Sequence, residues 1–515
     1  MSSGALALPR SGRVSWPVRA GAVLAAALVA LPLFFLLLRA SQAGWAQIAA
    51  LVTTPRVIGL LGNTLLLAVT TTVLCAVIGT GAAWLVERTN LPGRRLWALV
   101  LALPVALPDF VVGYSWVSLF PGFHGFPAAV VIMTSTLFPL VYLPVAAGLR
   151  RFDPLLTEVG QSLGLGASAN FFRVVFPQIR SPVFGGCLLV VLGILAEYGA
   201  FEIVRFQTFT TAIFTEFSLG FDTPGACAQS LVLVALGLIV LAGEQRAGGR
   251  RAPGRSGPGS RRVRRLPLGA GALVPLAALG LVVLVSLGLP LVSIGYWLLK
   301  GNSSTLGPAS LTAAAGNTLA FSAGAAVLAT LLAVPVARFS LRSRSWAAVV
   351  LEKASYLPQA IPGVVVGLSL VFFAINLAPV VYQSSVLLVA AYTILFFPLA
   401  LVAVRTSVRQ TQPRWEEAAL SLGTSRTAVF FRVTLPLLAP GLAASFALVF
   451  LSSATELTAT LLLHPTGAQT LATQFWRYTS EVSYGAAAPY AALIVAISIV
   501  PAFLVGRSAW SKDAA

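Results

Sequence analysis

Charge is what this 515-residue sequence has least of: only 10% of its residues are Asp, Glu, Lys or Arg, where a soluble domain carries roughly a quarter. Too few charges remain to cover a surface facing water. A soluble enzyme, a disordered chain and a nucleic-acid binder are therefore excluded, even though the formal balance is +19. Histidine is almost missing. With His124 and His464 as the only two, and no His/Asp/Glu cluster at metal-ligand spacing, a redox or hydrolytic centre has little to be built from. Lysine is nearly as scarce. Lys300, Lys353 and Lys512 are the only three, and none follows a glycine in a Gly-x-x-x-x-Gly-Lys-Ser/Thr run, so the loop that would hold a nucleotide phosphate is lacking. The three cysteines, Cys75, Cys187 and Cys227, lie in or beside apolar sequence without CxxC spacing and read as small apolar fillers.

What is there in quantity is apolar sequence, 57% by composition with a mean hydropathy of +0.90. A helix needs about 20 apolar residues to cross a hydrocarbon core of roughly 30 Å. Windows of that length fall near 20–39, 60–86, 97–120, 126–149, 182–204 and 226–243, then near 270–298, 316–338, 347–376, 384–405, 441–463 and 485–506. The expectation is an all-α integral membrane protein with about twelve spans. The first window has the basic flank of a secretory signal, Arg10, Arg13 and Arg19, but its run from Ala20 to Leu38 exceeds a usual signal core, so it counts as a span. With the N-terminus placed in the cytoplasm, all of the 34 basic residues except Arg39, Arg56, Arg205, Lys300 and Arg477 fall on the cytoplasmic side. That bias sets orientation and predicts that both termini are cytoplasmic.

Residues 244–268 interrupt the apolar pattern with Gly, Pro, Ser and Arg (EQRAGGRRAPGRSGPGSRRVRRL from Glu244), the composition of a flexible cytoplasmic linker able to touch anionic headgroups. The linker separates two six-span domains, 1–243 and 269–515, that repeat one another. Gly62–Val69 (GNTLLLAV) returns as Gly316–Ala323 (GNTLAFSA), and Pro104, Pro108, Val112, Gly113 and Pro144 return as Pro358, Pro362, Val366, Gly367 and Pro398, all at one offset of 254 residues. At an offset of 259, Glu158–Pro177 matches Glu417–Pro436 at ten of twenty positions. Six spans is an even number, so the two copies have the same orientation, a parallel repeat whose axis lies along the membrane normal.

The segment joining the fourth and fifth spans of each half is long, polar at first and then apolar. In the second half it reads EEAALSLGTSRTAVFFRVTLPLLAPGL from Glu416: helix-favouring residues broken at Gly423, with Leu422, Val429, Phe430 and Val433 able to share one apolar face. An amphipathic helical pair of this length can dock a partner. The segment resembles the EAA loop of inner-membrane permease subunits of ATP-binding-cassette importers: Glu417, Ala418, Ala419, Gly423, Leu435 and Pro436 match at the family spacing, with Val433 in the Ile position. The first half keeps Glu158, Gly164 and Pro177 and departs at Val159, Gly160, Val174 and Phe176. Both halves are similar to members of this family. The resemblance implies a type I ABC importer permease, with coupling helices seated on two separate ATPase subunits, Glu158 and Glu417 ordering the loops or meeting that partner, and Arg173 and Arg432 anchoring them at headgroups or carboxylates. It also implies that this chain binds no cofactor, the ATP being used by the partner subunit, and that it works in a bacterial inner membrane as a permease and not as an enzyme.

Carboxylates inside apolar spans are costly unless paired or hydrated, which singles out Asp109 after Pro108, and Glu197 and Glu456 at equivalent places in the fifth and eleventh spans. They are either acidic stations on a cation pathway or helix-packing carboxyls. The sequences AEYGAFEIV with QTFTTAIF, and ELTATLLL with GAQTLATQFW, resemble the fused permeases of iron(III) importers. Thiamine and phosphonate permeases share the fused layout, and polyamine, sulfate and molybdate permeases share the fold. A secondary transporter remains the rival class. The resemblance further implies an extracytoplasmic solute-binding protein, for which Glu202, Glu216, Asp222 and Glu481 are outer-loop contact candidates.

Overall fold

The computed structural model describes residues 16–150, 155–218, 223–248, 266–300, 308–343, 345–411 and 413–511. Among the described residues nine helices are long and apolar enough to cross a membrane: Trp16–Ala43, Pro55–Arg88, Gly125–Arg150, Ser168–Ala196, Pro224–Gly243, Leu273–Lys300, Ala309–Arg342, Ser385–Gln410 and Thr427–Ala454. Two bent pairs, Arg94–Ala106 with Asp109–Leu119 and Trp346–Ala360 with Gly363–Leu377, raise the number to 11, and Tyr484–Ile499 is a shorter apolar helix. These elements fall on the twelve windows read from hydropathy.

The bent pairs correct the expectation of continuous third and ninth spans. They turn by 92° and 109°, each at the second of two prolines four residues apart. Leu107 and Ile361, preceding Pro108 and Pro362, are extended (ψ 123° and 113°), as the clash with a following proline ring dictates. Each proline then starts a new helix, where its missing N–H is no loss. The fifth and eleventh spans begin and end earlier than expected, as Ser168–Ala196 and Thr427–Ala454. Their helices end at Ala196 and Ala454, and short helices Gly199–Ile203 and Thr458–Leu463 follow. Glu197 and Glu456 thus lie in breaks, not within spans.

The chain forms two compact units that do not coincide with its halves. One comprises the first helix as far as Leu38 together with Gly316–Ala468. Its core sets Ala22, Ala25 and Val29 of the first helix among Ala326, Ala329, Ala333 and Val336, with Phe397, Leu401 and Val404 beside them. Small side chains let helices approach closely where lipid offers no hydrophobic gain; a Cβ on Gly21 would lie 3.1 Å from the Pro335 ring. The other unit comprises Arg39–Ala315 and Gln469–Ala515. There Gly79 and Gly186 face Val141 and its neighbours so closely that a Cβ would come within 2.9 Å of Tyr142 N and 2.7 Å of Leu140 O. Cys75 and Cys227 are buried fillers.

Both ends of the basic linker are structured. Its first residues continue the helix Thr223–Gly248. At its far end Leu266 pairs with Thr89 in an isolated parallel bridge: Leu266 N–H donates to Arg88 O at 2.9 Å, Asn90 N–H to Leu266 O at 3.1 Å, and Leu268 N–H to Asn90 Oδ1 at 2.9 Å. Residues 249–265, and with them most of the expected linker, lie outside the described residues, as does Asp222.

Candidate functional site: the paired loops between fourth and fifth spans

Each loop is built in the same four steps. In the first repeat a helix, Leu155–Ser162, ends at Gly164; a turn of helix, Ala167–Asn170, runs into a π-turn, Phe171–Val175, and then into the next span at Phe176. In the second repeat the steps are Pro413–Ser421, Gly423, Arg426–Val429, the π-turn Phe430–Thr434, and Leu435. Gly164 and Gly423 have φ of +83° and +82°, the left-handed conformation that closes a helix at its C-terminus and that a Cβ disfavours. The closing bonds recur: Leu165 N–H reaches Gly160 O at 3.0 Å and Thr424 N–H reaches Ala419 O at 3.3 Å. The glycine shared by the two motifs is thus a helix stop.

Glu158 and Glu417 are exposed, as are Ala418, Pro177 and Pro436, while Ala419 is half-buried. Apolar side chains stand out beside them: Val159 and Leu163 on the first loop, Trp415, Leu420 and Leu422 on the second, with Leu163 77% and Leu422 85% exposed. This corrects the single apolar face expected for the second loop. Leu422 is exposed while Val429 is only 4% exposed, and the left-handed Gly423 that stops the first helix lies between them. The arrangement leaves a short amphipathic helix with unsatisfied apolar knobs, twice.

The residue that ties the second loop down is Glu416, one position before the motif. Its Oε1 accepts from Arg338 Nη2 at 3.3 Å and from Thr434 Oγ1 at 3.0 Å, and its Oε2 accepts from Arg342 Nη2 at 2.9 Å. The Arg338 guanidinium also lies over the Phe430 ring, 5.6 Å from its centroid. Partial burial works to raise the Glu416 carboxyl, but the hydrogen bond and charge of Arg342, with Thr434 and Arg338, outweigh it and hold the group below the usual range. The sequence carries only the separate parts of this signal: Arg338 and Arg342 are spaced to share a helix face at the end of the eighth span, and Glu416–Glu417 is a doublet of which the motif uses one member, but nothing in it links the two. The arginines that reach this carboxylate come from the end of the eighth span, Ala309–Arg342, and not from Ser385–Gln410, which leads into the loop, whereas Arg432, expected to anchor the loop, is exposed.

The first loop is held by other means. Asn170 is 2% exposed and its Nδ2 donates to Thr157 O at 2.9 Å. A Cβ on Gly160 would lie 2.6 Å from Asn170 Oδ1. The departure from Ala at Gly160 therefore makes room for a carboxamide where the second repeat carries Val429. Trp84 packs edge-on against Phe171 with ring centroids 5.2 Å apart.

The three intramembrane acids sit at helix breaks. Asp109 opens the helix Asp109–Leu119. Glu197 Oε1 accepts from Ala200 N at 2.7 Å and Glu456 Oε1 from Ala459 N at 3.0 Å, so each carboxylate serves the first turn of the short helix after its break. Gly363 abuts Glu456: a Cβ there would lie 2.8 Å from Oε1. The aligned position in the first repeat is Asp109. Of the outer-loop acids, Glu216 pairs with Arg56 and Glu481 with Arg477, and Glu202 is exposed. Among the described residues no group of three His, Cys, Asp or Glu side chains is placed to hold a metal ion.

Comparison with known proteins places this geometry. Residues 76–245 and 325–509 each match the family model described as binding-protein-dependent transport system inner membrane component. The chain is 36% identical over 485 residues to the Fe(3+)-transport system permease protein FbpB 2 of Haemophilus influenzae, covering 93% of this chain and 96% of the relative. It is 21% identical over 438 residues to the ferric transport system permease protein FbpB of Actinobacillus pleuropneumoniae, covering 77% and 63%. The sulfate transport system permease protein CysT of Salmonella typhimurium is 32% identical over 231 residues, 41% of this chain but 83% of the relative, so a protein of one-repeat length matches part of a chain that carries the repeat twice.

Proposed function

Since the chain belongs to the family of binding-protein-dependent transport system inner membrane components and carries that domain twice, we propose that it is the fused permease of an ATP-driven importer of iron(III). Two separate ATPase subunits dock on the loops Glu158–Pro177 and Glu417–Pro436, hydrolyse the ATP and drive the change of access, and an extracytoplasmic binding protein delivers the solute. The chain itself binds no nucleotide. It sits in a bacterial inner membrane with both termini and the linker in the cytoplasm.

The observation that carries the coupling role is the duplicated loop: a short helix stopped by a left-handed glycine, with exposed Val159 and Leu163, or Leu420 and Leu422. Such knobs on a polar surface are what a partner's groove buries. Glu158, Gly164, Pro177, Glu417, Ala418, Ala419, Gly423 and Pro436 form the docking elements in this reading. The iron(III) assignment rests on similarity along nearly the whole chain to an Fe(3+)-transport permease, and the carboxylates at the breaks, Asp109, Glu197 and Glu456, suit a cation passing unwound backbone better than an anion. Sulfate is the second reading, because one-repeat relatives carry that name.

The test is uptake in sealed vesicles containing the chain, its ATPase and its binding protein. ATP-dependent accumulation of iron(III), uncompeted by sulfate and abolished in a Glu158→Lys, Glu417→Lys double variant, is the expected result. ATP-driven uptake of sulfate without iron(III) overturns the substrate, and accumulation without the ATPase overturns the importer reading.

A further inference from the structure

The two docking loops are alike in backbone and different in what holds them. In the second repeat Glu416 receives three charged or hydroxyl donors from two directions. Arg338 and Arg342 end the helix Pro308–Arg342, and Thr434 is the last residue of the π-turn. One carboxylate thus joins the docking helix Pro413–Ser421 to the end of the helix Pro308–Arg342, two spans earlier than the one leading into the loop, and to the elbow after it. The side chains of Glu416 and Arg338 are each only 17% exposed, and both carboxylate oxygens are engaged, a geometry in which charge-assisted bonds hold orientation. At the aligned positions of the first repeat stand Thr157 for Glu416, Trp84 for Arg338 and Val175 for Thr434. That loop is fastened by Asn170 on the Thr157 carbonyl and by the Trp84–Phe171 ring contact.

Resting on the importer reading above, we propose that Glu416 is a positioning residue that makes the second docking helix move as one piece with the helix Pro308–Arg342, so that the two loops transmit force by different chemistry. The second loop is an ionic latch, sensitive to ionic strength. The first is a packed joint, insensitive to it. A displacement of the second docking helix then pulls Arg338 and Arg342 along through the carboxylate, whereas the first loop relays motion through its elbow ring.

The experiment uses the full chain with ATPase and binding protein in proteoliposomes and reads solute accumulated per ATP hydrolysed, across a salt series, with ATPase co-purification scored alongside. For Glu416→Gln the expected result is retained ATPase binding, a transport-to-hydrolysis ratio lowered at least about fivefold, the factor that corresponds to losing about 1 kcal/mol of net hydrogen bonding, and a ratio that no longer falls with salt as it does in the unaltered chain. Glu416→Asp restores part of the ratio. Should Glu416→Gln fail to assemble, Thr434→Val removes one bond to the same carboxylate without freeing a charge, and an intermediate ratio is expected. A ratio and salt response in Glu416→Gln or Thr434→Val equal to those of the unaltered chain overturns the latch. Absence of ATP-dependent uptake in the unaltered chain overturns the importer reading instead, so the two failures are distinguishable.

Discussion

Gly160 shows how a residue that looks like a lapse from a motif can be a fitted part. Its missing Cβ leaves space for Asn170 Oδ1, which would otherwise be 2.6 Å away, and Asn170 in turn donates to the Thr157 carbonyl. Restoring the family alanine by Gly160→Ala overpacks this contact, and we expect the loop to be destabilised by about 1–3 kcal/mol. Adding Asn170→Val, which recreates the Ala and Val that the second repeat carries at positions 419 and 429, recovers most of that loss. Amide exchange across residues 155–177 in the two variants is the measurement; equal exchange in Gly160→Ala and the unaltered chain would count against the pairing. Nothing in the sequence alone links the two residues, because the evidence is a contact across a glycine turn.

At the scale of elements, the breaks decide where polar groups can live inside an apolar chain. A Cβ on Gly363 would lie 2.8 Å from Glu456 Oε1, closer than such contacts allow, and that oxygen is committed to Ala459 N–H. Gly363→Ala therefore pushes the carboxylate off the amide. The expected cost is about 1 kcal/mol, that of a lost helix cap. Glu456→Ala costs a similar amount, and the double variant costs no more than the larger single one, since both remove one interaction. Thermal unfolding of the detergent-solubilised protein reads all three, and additive losses would show that the two residues act separately.

The positions of the spans were legible because window hydropathy measures what a bilayer selects. The breaks were not, although their prolines were in view: an average over about 20 residues passes smoothly through Pro108 and Pro362, and only backbone sterics turn the chain there. The paired loops between the fourth and fifth spans were legible as a recurring motif. Glu416 was not, because the motif ranks Glu417 above it and the deciding partners, Arg338 and Arg342, lie more than seventy positions earlier.

For the whole molecule, the repeat and the compact unit are different divisions. The repeat runs from one end of the chain to the linker, whereas a compact unit borrows the first helix to cover Ala326, Ala329 and Ala333. Residues 269–515 expressed alone should therefore lack a wall of their own core. We expect that half to be degraded or to aggregate in the membrane when made by itself, and to accumulate normally when residues 1–248 are made alongside it. Immunoblots of membrane fractions give the answer, and equal abundance of the half with and without its complement would show that the first helix is dispensable.

The borrowed helix also sets a schedule for synthesis. Trp16–Ala43 is made long before the helices it packs against, the earliest of which begins at Pro308. At ~5–20 residues per second, roughly 15 seconds to a minute passes before its partners exist. For that interval the Ala22–Ala25–Val29 stripe must rest against lipid or a chaperone. With a wholly apolar run from Ala20 to Leu38 and its arginines, Arg19 and Arg39, towards the two ends, the helix can wait there unharmed, and that tolerance is what lets a later-made set of helices be completed by an earlier one.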